Sequence, residues 1–375
     1  MLKKWLIPSI LAAAMLLPSV SNAAASATFT FTTEDGGEGT GPALIKYGTT
    51  YVTAGHWEAA GLEASWDSSH QRVTFAGWEK SISIRLGSKV GVLDGKKVDL
   101  GGEPFEYEQQ LYIPARFLVQ SLGGQSVSWD AKQSVYKAKG LQTYASASAK
   151  FGGLTYTVNK KLGQLYVTDV KGKSRLLANL GSKLYDMVHL DFFKTPAGLI
   201  YLTITDVYGE PHINNKWFTL VIKNGMVIRQ ASVGYHYRFG NNIKMYSNQL
   251  LLTNGKTLRL IEDGTGKITQ TIDLTQLGGR NDDYLIEGMD KDFILIRANQ
   301  DGILTLVNRA AGTKTLLYKV LLDKEQQEYA ETNDIPYYGD NLRFLKREGD
   351  TLFFKNETPL FKDQKVYKYK LAGIQ

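Results

Sequence analysis

The stretch Leu111-Tyr112-Ile113-Pro114-Ala115-Arg116-Phe117-Leu118-Val119-Gln120-Ser121-Leu122-Gly123-Gly124, followed by Ser126-Val127-Ser128-Trp129-Asp130 and Ser134-Val135-Tyr136, decides how the first half of the chain is read. Phe117, Leu118 and Leu122, with small Ser121, recur at helical spacing and predict a short helix with one apolar stripe. Pro114 suits the first turn of that helix, and Gly123 and Gly124 suit its end. Ser126 to Trp129 reads as a strand. The Asp130 carboxylate can accept hydrogen bonds from amides of the turn that leads into Ser134-Val135-Tyr136. The unit is strand, helix, hairpin.

A second copy lies upstream. Tyr51-Val52-Thr53 stands in the place of Tyr112-Ile113-Pro114, and Trp66-Asp67 lies 63 residues before Trp129-Asp130. Arg72-Val73-Thr74-Phe75 is its return strand, and its helix is two residues shorter. Between the copies Ser81-Ile82-Ser83-Ile84-Arg85-Leu86 alternates, and Gly91-Val92-Leu93 meets Val98-Asp99-Leu100 across the tight-turn pair Asp94-Gly95. Residues 28–140 therefore read as an α+β domain. Trp66 and Trp129 are expected in its core, because each recurs at an equivalent place in a repeat.

This pattern of two short helices, each followed by a Trp-Asp hairpin, resembles the copper amine oxidase N-terminal-like domain over roughly residues 44 to 138. The likeness is carried by Tyr112, Pro114, Arg116, Leu122, Gly123, Trp129, Asp130 and Val135. The first copy departs from it, with Thr53 and Gly55 at the proline and arginine positions. The resemblance implies a stalk or attachment module of exported bacterial proteins that does not itself carry oxidase chemistry. The residues agree. A copper site needs several closely spaced imidazoles, yet His56, His70, His189, His212 and His236 form no His-x-His pair, and the quinone-forming Asn-Tyr-Asp or Asn-Tyr-Glu triplet is missing.

The N-terminus points to export. Met1-Leu2-Lys3-Lys4 precedes an uncharged run from Trp5 to Val20 and then Ser21-Asn22-Ala23-Ala24-Ala25, the order of a secretory signal. We read residues 1–25 as a signal peptide cut near Ala23 or Ala25. The apolar run holds 16 residues and two prolines, short of the roughly 20 of a spanning helix. An uncleaved anchor is thus the less favoured alternative, and no stable membrane span is expected after processing. The expected localisation is secreted or cell-wall associated.

There is no cysteine, which excludes disulfides, thiolate metal sites, a cysteine nucleophile and a lipid-modified N-terminal cysteine. Without Lys3 and Lys4 the basic residues number 42 against 37 acidic, with no basic run. That balance gives weak attraction to anionic envelope polymers, and nucleic acid is not an expected partner.

Leu141 to Lys150, with Ala145-Ser146-Ala147-Ser148-Ala149, reads as a linker. Beyond it, residues 151–375 hold many short strand-like runs: Gln164 to Val167, Leu199 to Ile204, Phe218 to Ile222, Thr257 to Leu260 and Phe293 to Ile296. Turn signals at Gly172, Gly225, Gly266, Gly312 and Asp363 recur at intervals of 53, 41, 46 and 51 residues, which suits four-stranded blades. The second half is expected to be all-β, a five-bladed β-propeller, with a pair of β-sandwiches as the alternative. Closure is expected from Thr155 to Val158 pairing with Val366 to Leu371, which would leave no open sheet edge.

No Gly-x-Ser-x-Gly elbow, phosphate loop or dinucleotide fingerprint occurs, and no cofactor is implied. Asp282, Asp283, Glu287, Asp290 and Asp292 form the densest acidic cluster. It fits no calcium loop, and a solvated loop is the plainer reading. His189, Asp191 and His212 lack metal-ligand spacing, so a structural role is favoured for them. Tyr235-His236-Tyr237-Arg238-Phe239 sets aromatic faces beside a cation and could stack on sugar rings. Alternation could equally bury Tyr235, Tyr237 and Phe239 as one strand face. Tyr337-Tyr338 after Pro336 is a weaker case of the same kind. The functional expectation is a non-catalytic, exported cell-envelope binding protein whose partner is a glycan or another protein, with Tyr235, His236 and Tyr237 as contacts. The alternative is a glycan-cleaving enzyme using Asp282, Asp283 or Glu287 on propeller loops.

Overall fold

Both repeat helices stop in the same way. In the computed structural model, which describes residues 25–236, 240–334, 338–361 and 364–371, α1 spans Gly55–Ala59 and α2 spans Ala115–Ser121. Gly61 and Gly123 follow in the left-handed region, at φ 84° and 65°. The Gly61 and Leu62 amides donate to the Glu58 and Trp57 carbonyls, as those of Gly123 and Gly124 do to Gln120 and Val119. This pair of bonds satisfies the last carbonyls of a helix and needs a residue that tolerates positive φ. Pro114 caps α2 and closes the preceding strand instead of entering the first turn.

The chain divides into two compact units, Met1–Tyr144 and Ala145–Gln375. Unit 1 contains β1 (Ala25–Thr33), β2 (Glu38–Lys46), β3 (Thr49–Thr53), β4 (Glu63–Asp67), β5 (Arg72–Gly77), β6 (Lys80–Arg85), β7 (Val90–Leu93), β8 (Lys96–Asp99), β9 (Phe105–Tyr107), β10 (Gln110–Pro114), β11 (Ser126–Asp130) and β12 (Val135–Leu141). One sheet runs β11-β12-β1-β2-β3-β10-β9 and the other β4-β5-β6-β7-β8. β3 and β10 pair antiparallel, Tyr51 opposite Pro114 and Thr53 opposite Tyr112, so the two repeat copies meet strand to strand. Phe29, Val52, Trp57, Ile82, Ile113, Phe117 and Leu118 pack in one core between the elements.

The buried tryptophan of this core is Trp57. It has no exposed surface, and its indole N–H donates to Ser121 Oγ at 2.8 Å, which ties α1 to α2. Trp66 and Trp129 are 52 % and 42 % exposed, so they are not core residues. The reason is topological: β4 and β11 are edge strands of their sheets, and equivalence in the repeat preserves that edge position. The Asp half of each motif behaves as read. Asp130 Oδ1 accepts from the Lys132 and Gln133 amides, and Asp67 Oδ1 from the Ser69 amide.

The segment read as a linker is structured. Leu141 ends β12, and Ser146–Phe151 forms β13, because alternating small residues pair edge-on with the next strand. In unit 2, β13 joins β14 (Leu154–Asn159), β15 (Gln164–Thr168) and β16 (Ser174–Asn179) in sheet I. Sheet II holds β17 (Met187–Lys194), β18 (Ile200–Tyr208), β19 (Asn214–Lys223) and β20 (Met226–His236). Sheet III holds β21 (Met245–Tyr246), β22 (Gln249–Thr253), β23 (Thr257–Glu262) and β24 (Ile268–Asp273), followed by α3 (Leu274–Gly278). Sheet IV holds β25 (Tyr284–Met289), β26 (Phe293–Ala298), β27 (Leu304–Asn308) and β28 (Lys314–Leu316). After α4 (Leu317–Leu321) and α5 (Lys324–Thr332), sheet V holds β29 (Leu342–Glu348), β30 (Thr351–Asn356) and β31 (Val366–Lys370).

Each sheet is an antiparallel meander in chain order. Unit 2 is propeller-like in that sense: mostly β, built from several small successive sheets. Gly172, Gly225, Gly266 and Gly312 all fall in the hairpin between the third and fourth strands of sheets I to IV, which is the origin of their regular spacing. Asp363 lies outside the described residues. The all-β expectation misses α3, α4 and α5. Asp323 caps α5 in a reciprocal box with Gln326, a signal present in the sequence. The expected pairing of Thr155 to Val158 with Val366 to Leu371 is not formed. β14 lies between β13 and β15, and β31 pairs with β30.

Candidate functional site

Sheet II carries polar side chains on one face, and two of them, Thr203 and Thr219, are buried. In its register His189 lies opposite Thr205 and Thr205 opposite Trp217; Asp191 lies opposite Thr203 and Thr203 opposite Thr219. Alternation sends these to one face and Leu190, Leu202, Ile204, Phe218 and Leu220 to the other, where they join a core with sheet I. A cavity of about 530 Å³ opens on the polar face, lined by His189, Asp191, Tyr201, Thr203, Thr205, Trp217, Asn241, Asn242 and Lys244. The last three come from the segment that enters sheet III.

The walls are held by bonds across the sheets. The Lys244 ammonium pairs with Asp191 and lies 5.8 Å from the Phe193 ring centre. Asn242 Oδ1 accepts from the Ile286 amide at 2.6 Å, and its Nδ2 donates to the Tyr235 hydroxyl at 3.2 Å. Tyr201 donates to the Leu251 carbonyl at 2.8 Å, and burial pushes its hydroxyl pKa up. One donor is left over. Trp217 Nε1 is buried and has no hydrogen-bond partner among the described residues. Buried polar atoms are generally satisfied, so an orphan N–H at a cavity wall is a place for an acceptor.

Tyr235 is 1 % exposed. It packs edge-on against Trp217 with ring centres 5.7 Å apart, and its hydroxyl donates to the Tyr284 carbonyl. Its phenol is pushed up by burial. Of the two readings of this stretch, the buried one describes Tyr235: it supports the cavity wall and is not a contact residue. His236 is exposed, with Nδ1 2.7 Å from Asn214 Oδ1, and its carbonyl accepts from the Tyr338 hydroxyl at 3.0 Å. Tyr237, Arg238, Phe239, Pro336 and Tyr337 lie outside the described residues, as does the segment Met1 to Ala24.

The acidic cluster divides into separate engagements. Asp282, 4 % exposed, accepts from the Asp283 and Gln300 amides and from Arg280. Glu287 and Asp340 grip the buried Arg297 guanidinium, whose charge burial opposes and the two carboxylates sustain. Asp290 and Asp292 pair with Arg347 at 2.8 and 2.6 Å. Asp283 is half-buried, and burial raises its carboxyl pKa against the pull of Lys256 and His236. The solvated-loop reading therefore fails for Asp282 and Glu287, which belong to the packed edge of sheet IV. A hydrolytic pair needs two carboxylates left for substrate, and Asp282 and Glu287 are both engaged by arginines. His212 pairs with Asp186 at 2.6 Å. Among the described residues no group of three or more His, Asp and Glu is placed to hold a metal.

Of the cavity's lining, spacing in the sequence singles out only His189 and Asp191, as a weak metal pair; Trp217, Thr203, Thr205, Asn241, Asn242 and Lys244 are not among its candidates. The available signal was the alternation Tyr201-x-Thr203-x-Thr205 against Leu202 and Ile204.

Residues 37–137 match the family model of the copper amine oxidase N-terminal domain. The first unit thus carries this domain, and the match ends before unit 2 begins. No curated protein matches the chain. Among solved structures, virginiamycin B lyase from Staphylococcus aureus is 10 % identical with a TM-score of 0.26, covering 86 % of this chain and 88 % of its own. A dihydro-heme d1 dehydrogenase is 10 % identical with a TM-score of 0.28, over 68 % of this chain and about half, 56 %, of its own length. Regucalcin from Agrobacterium tumefaciens is 10 % identical with a TM-score of 0.25, over 84 % and 90 %. Among the described residues no helix is long and apolar enough to cross a membrane.

Proposed function

We propose that the protein is an exported, non-catalytic binding protein of the cell envelope, processed near Ala23 or Ala25, whose five sheets are the blades of a propeller and whose ligand is an envelope glycan. The observation that carries this reading is the cavity beside Trp217. It joins an unpartnered indole N–H to the threonine hydroxyls, the His189 ring, the Asn241 amide and the Lys244–Asp191 pair. A sugar presents hydroxyls that both donate and accept, and C–H faces that lie on aromatic rings, so it uses every group of such a wall. The volume of about 530 Å³ is that of a small-molecule site.

The test is incubation of the mature protein with isolated cell wall, scoring co-sedimentation and released soluble fragments. Co-sedimentation without release is expected. Trp217→Phe keeps the ring and removes the donor, and should weaken binding about tenfold, the worth of one good hydrogen bond in a closed site. Release of fragments would replace binding by cleavage. No sedimentation with wall would remove the glycan and leave a protein partner.

A further inference from the structure

Unit 1 has a cavity of its own that the proposed glycan site does not involve. It measures about 380 Å³ and is lined by Thr49, Thr50, Asp99, Arg116, Gln120 and Tyr136, among others. Arg116 projects from the first turn of α2 and is exposed; among the described residues it makes no ion pair. Tyr136 is its neighbour across the cavity. That side chain is 9 % exposed, and its hydroxyl is buried, faces the Arg116 guanidinium and has no acceptor for its proton. Burial pushes the phenol pKa up and Arg116 beside it pulls it back, so the group is a neutral donor at physiological pH. Asp99 engages one carboxylate oxygen with the Gly101 amide at 2.9 Å, which leaves the other at the rim.

We infer that this cavity binds a small carboxylate. A planar guanidinium that makes no ion pair among the described residues offers a carboxylate two parallel N–H bonds. The buried Tyr136 hydroxyl, which has no acceptor of its own, adds a third donor. Asp99 selects within the anions: it opposes a phosphate dianion and accepts from a hydroxyl or amide N–H next to the carboxylate. The chain holds an internal control, because the first repeat has Gly55 where the second has Arg116.

Titration of the full mature chain and its variants with lactate, N-acetylalanine, N-acetylalaninamide and inorganic phosphate, followed by isothermal titration calorimetry, tests the assignment. The two carboxylates are expected to bind at least about tenfold more tightly than the neutral amide and than phosphate, the weight of a charge-assisted pair. Preference for lactate identifies a free hydroxy acid, and preference for N-acetylalanine a peptide terminus. Arg116→Gln should lose that tenfold with an unchanged unfolding midpoint, and Tyr136→Phe should weaken binding without lowering stability. Equal response to acid and amide, binding of phosphate as tight as that of carboxylate, or retention of affinity in Arg116→Gln would each overturn the inference. This experiment is independent of the Trp217 cavity, so failure here leaves the glycan reading standing.

Discussion

Trp57 and Trp129 carry the same side chain in the same unit with opposite consequences. Trp57 fills the space between α1 and α2, touches Phe75 and Phe117 at ring separations of 4.8 and 5.9 Å, and bonds Ser121. Trp57→Ala should cost about 3–5 kcal/mol, the usual loss for a buried large aromatic, whereas Trp129→Ala on its edge strand should stay within roughly 1 kcal/mol. Urea unfolding of the two variants checks the contrast. The sequence made the wrong one conspicuous, because a residue that recurs in both copies draws the eye, while Trp57 corresponds to Leu118 in the other copy. Asp67 offers a second check at this scale. Hydrogen bonds from Ser69 first, then His70, hold its carboxyl at about 2. A pKa below the ordinary value means that the group favours the fold above the usual carboxylate range near 4 and that this support disappears as pH falls towards 2. Carbon-detected NMR should find the Asp67 midpoint near 2, and Ser69→Ala should raise it.

Among the elements, legibility followed burial. The five strand-like runs read from the sequence became β15, β18, β19, β23 and β26, every one an interior strand of its sheet. Interior strands are paired on both edges and bury at least alternate side chains, so they are rich in apolar and β-branched residues. Edge strands such as β13, β16 and β24 are half-exposed and polar, and they pass for loop or linker. Side-chain contacts between sheets were not legible for the same reason, since the partners come from distant segments. Arg297 on β26 is the clearest case: it meets Glu287 on β25, Asp340 before β29 and the Gly302 and Leu342 carbonyls. It thereby stitches sheet IV to sheet V. Replacement by Met leaves two buried carboxylates facing each other without a cation, so Arg297→Met should cost about 3–5 kcal/mol, read from denaturant unfolding at neutral pH. A loss below about 1 kcal/mol would mean that solvent reaches the carboxylates.

For the whole molecule, the period of the turn glycines predicted the succession of small sheets in unit 2 but not the manner in which the last one ends. The markers at Gly172, Gly225, Gly266 and Gly312 sit in one equivalent hairpin, whereas sheet V has three strands and no such hairpin among the described residues. Strand exchange between first and last blade is therefore not what would hold the proposed ring, and packing has to do so. Tyr367 and Leu371 are 5 % and 4 % exposed in a cluster with Phe293, Leu306, Leu317 and Phe354, which unites sheets IV and V with α4. Deletion of the last ten residues removes both of these side chains and all of β31. In a closed ring, loss of one blade's packing opens the circle, and the blade on the far side of the seam loses its neighbour as well. Hydrogen exchange on the truncated protein should then show lost protection in β13 and β14 of sheet I together with β29 and β30, while sheets II and III stay protected. Loss confined to sheets IV and V would mean that the five sheets form an open arc.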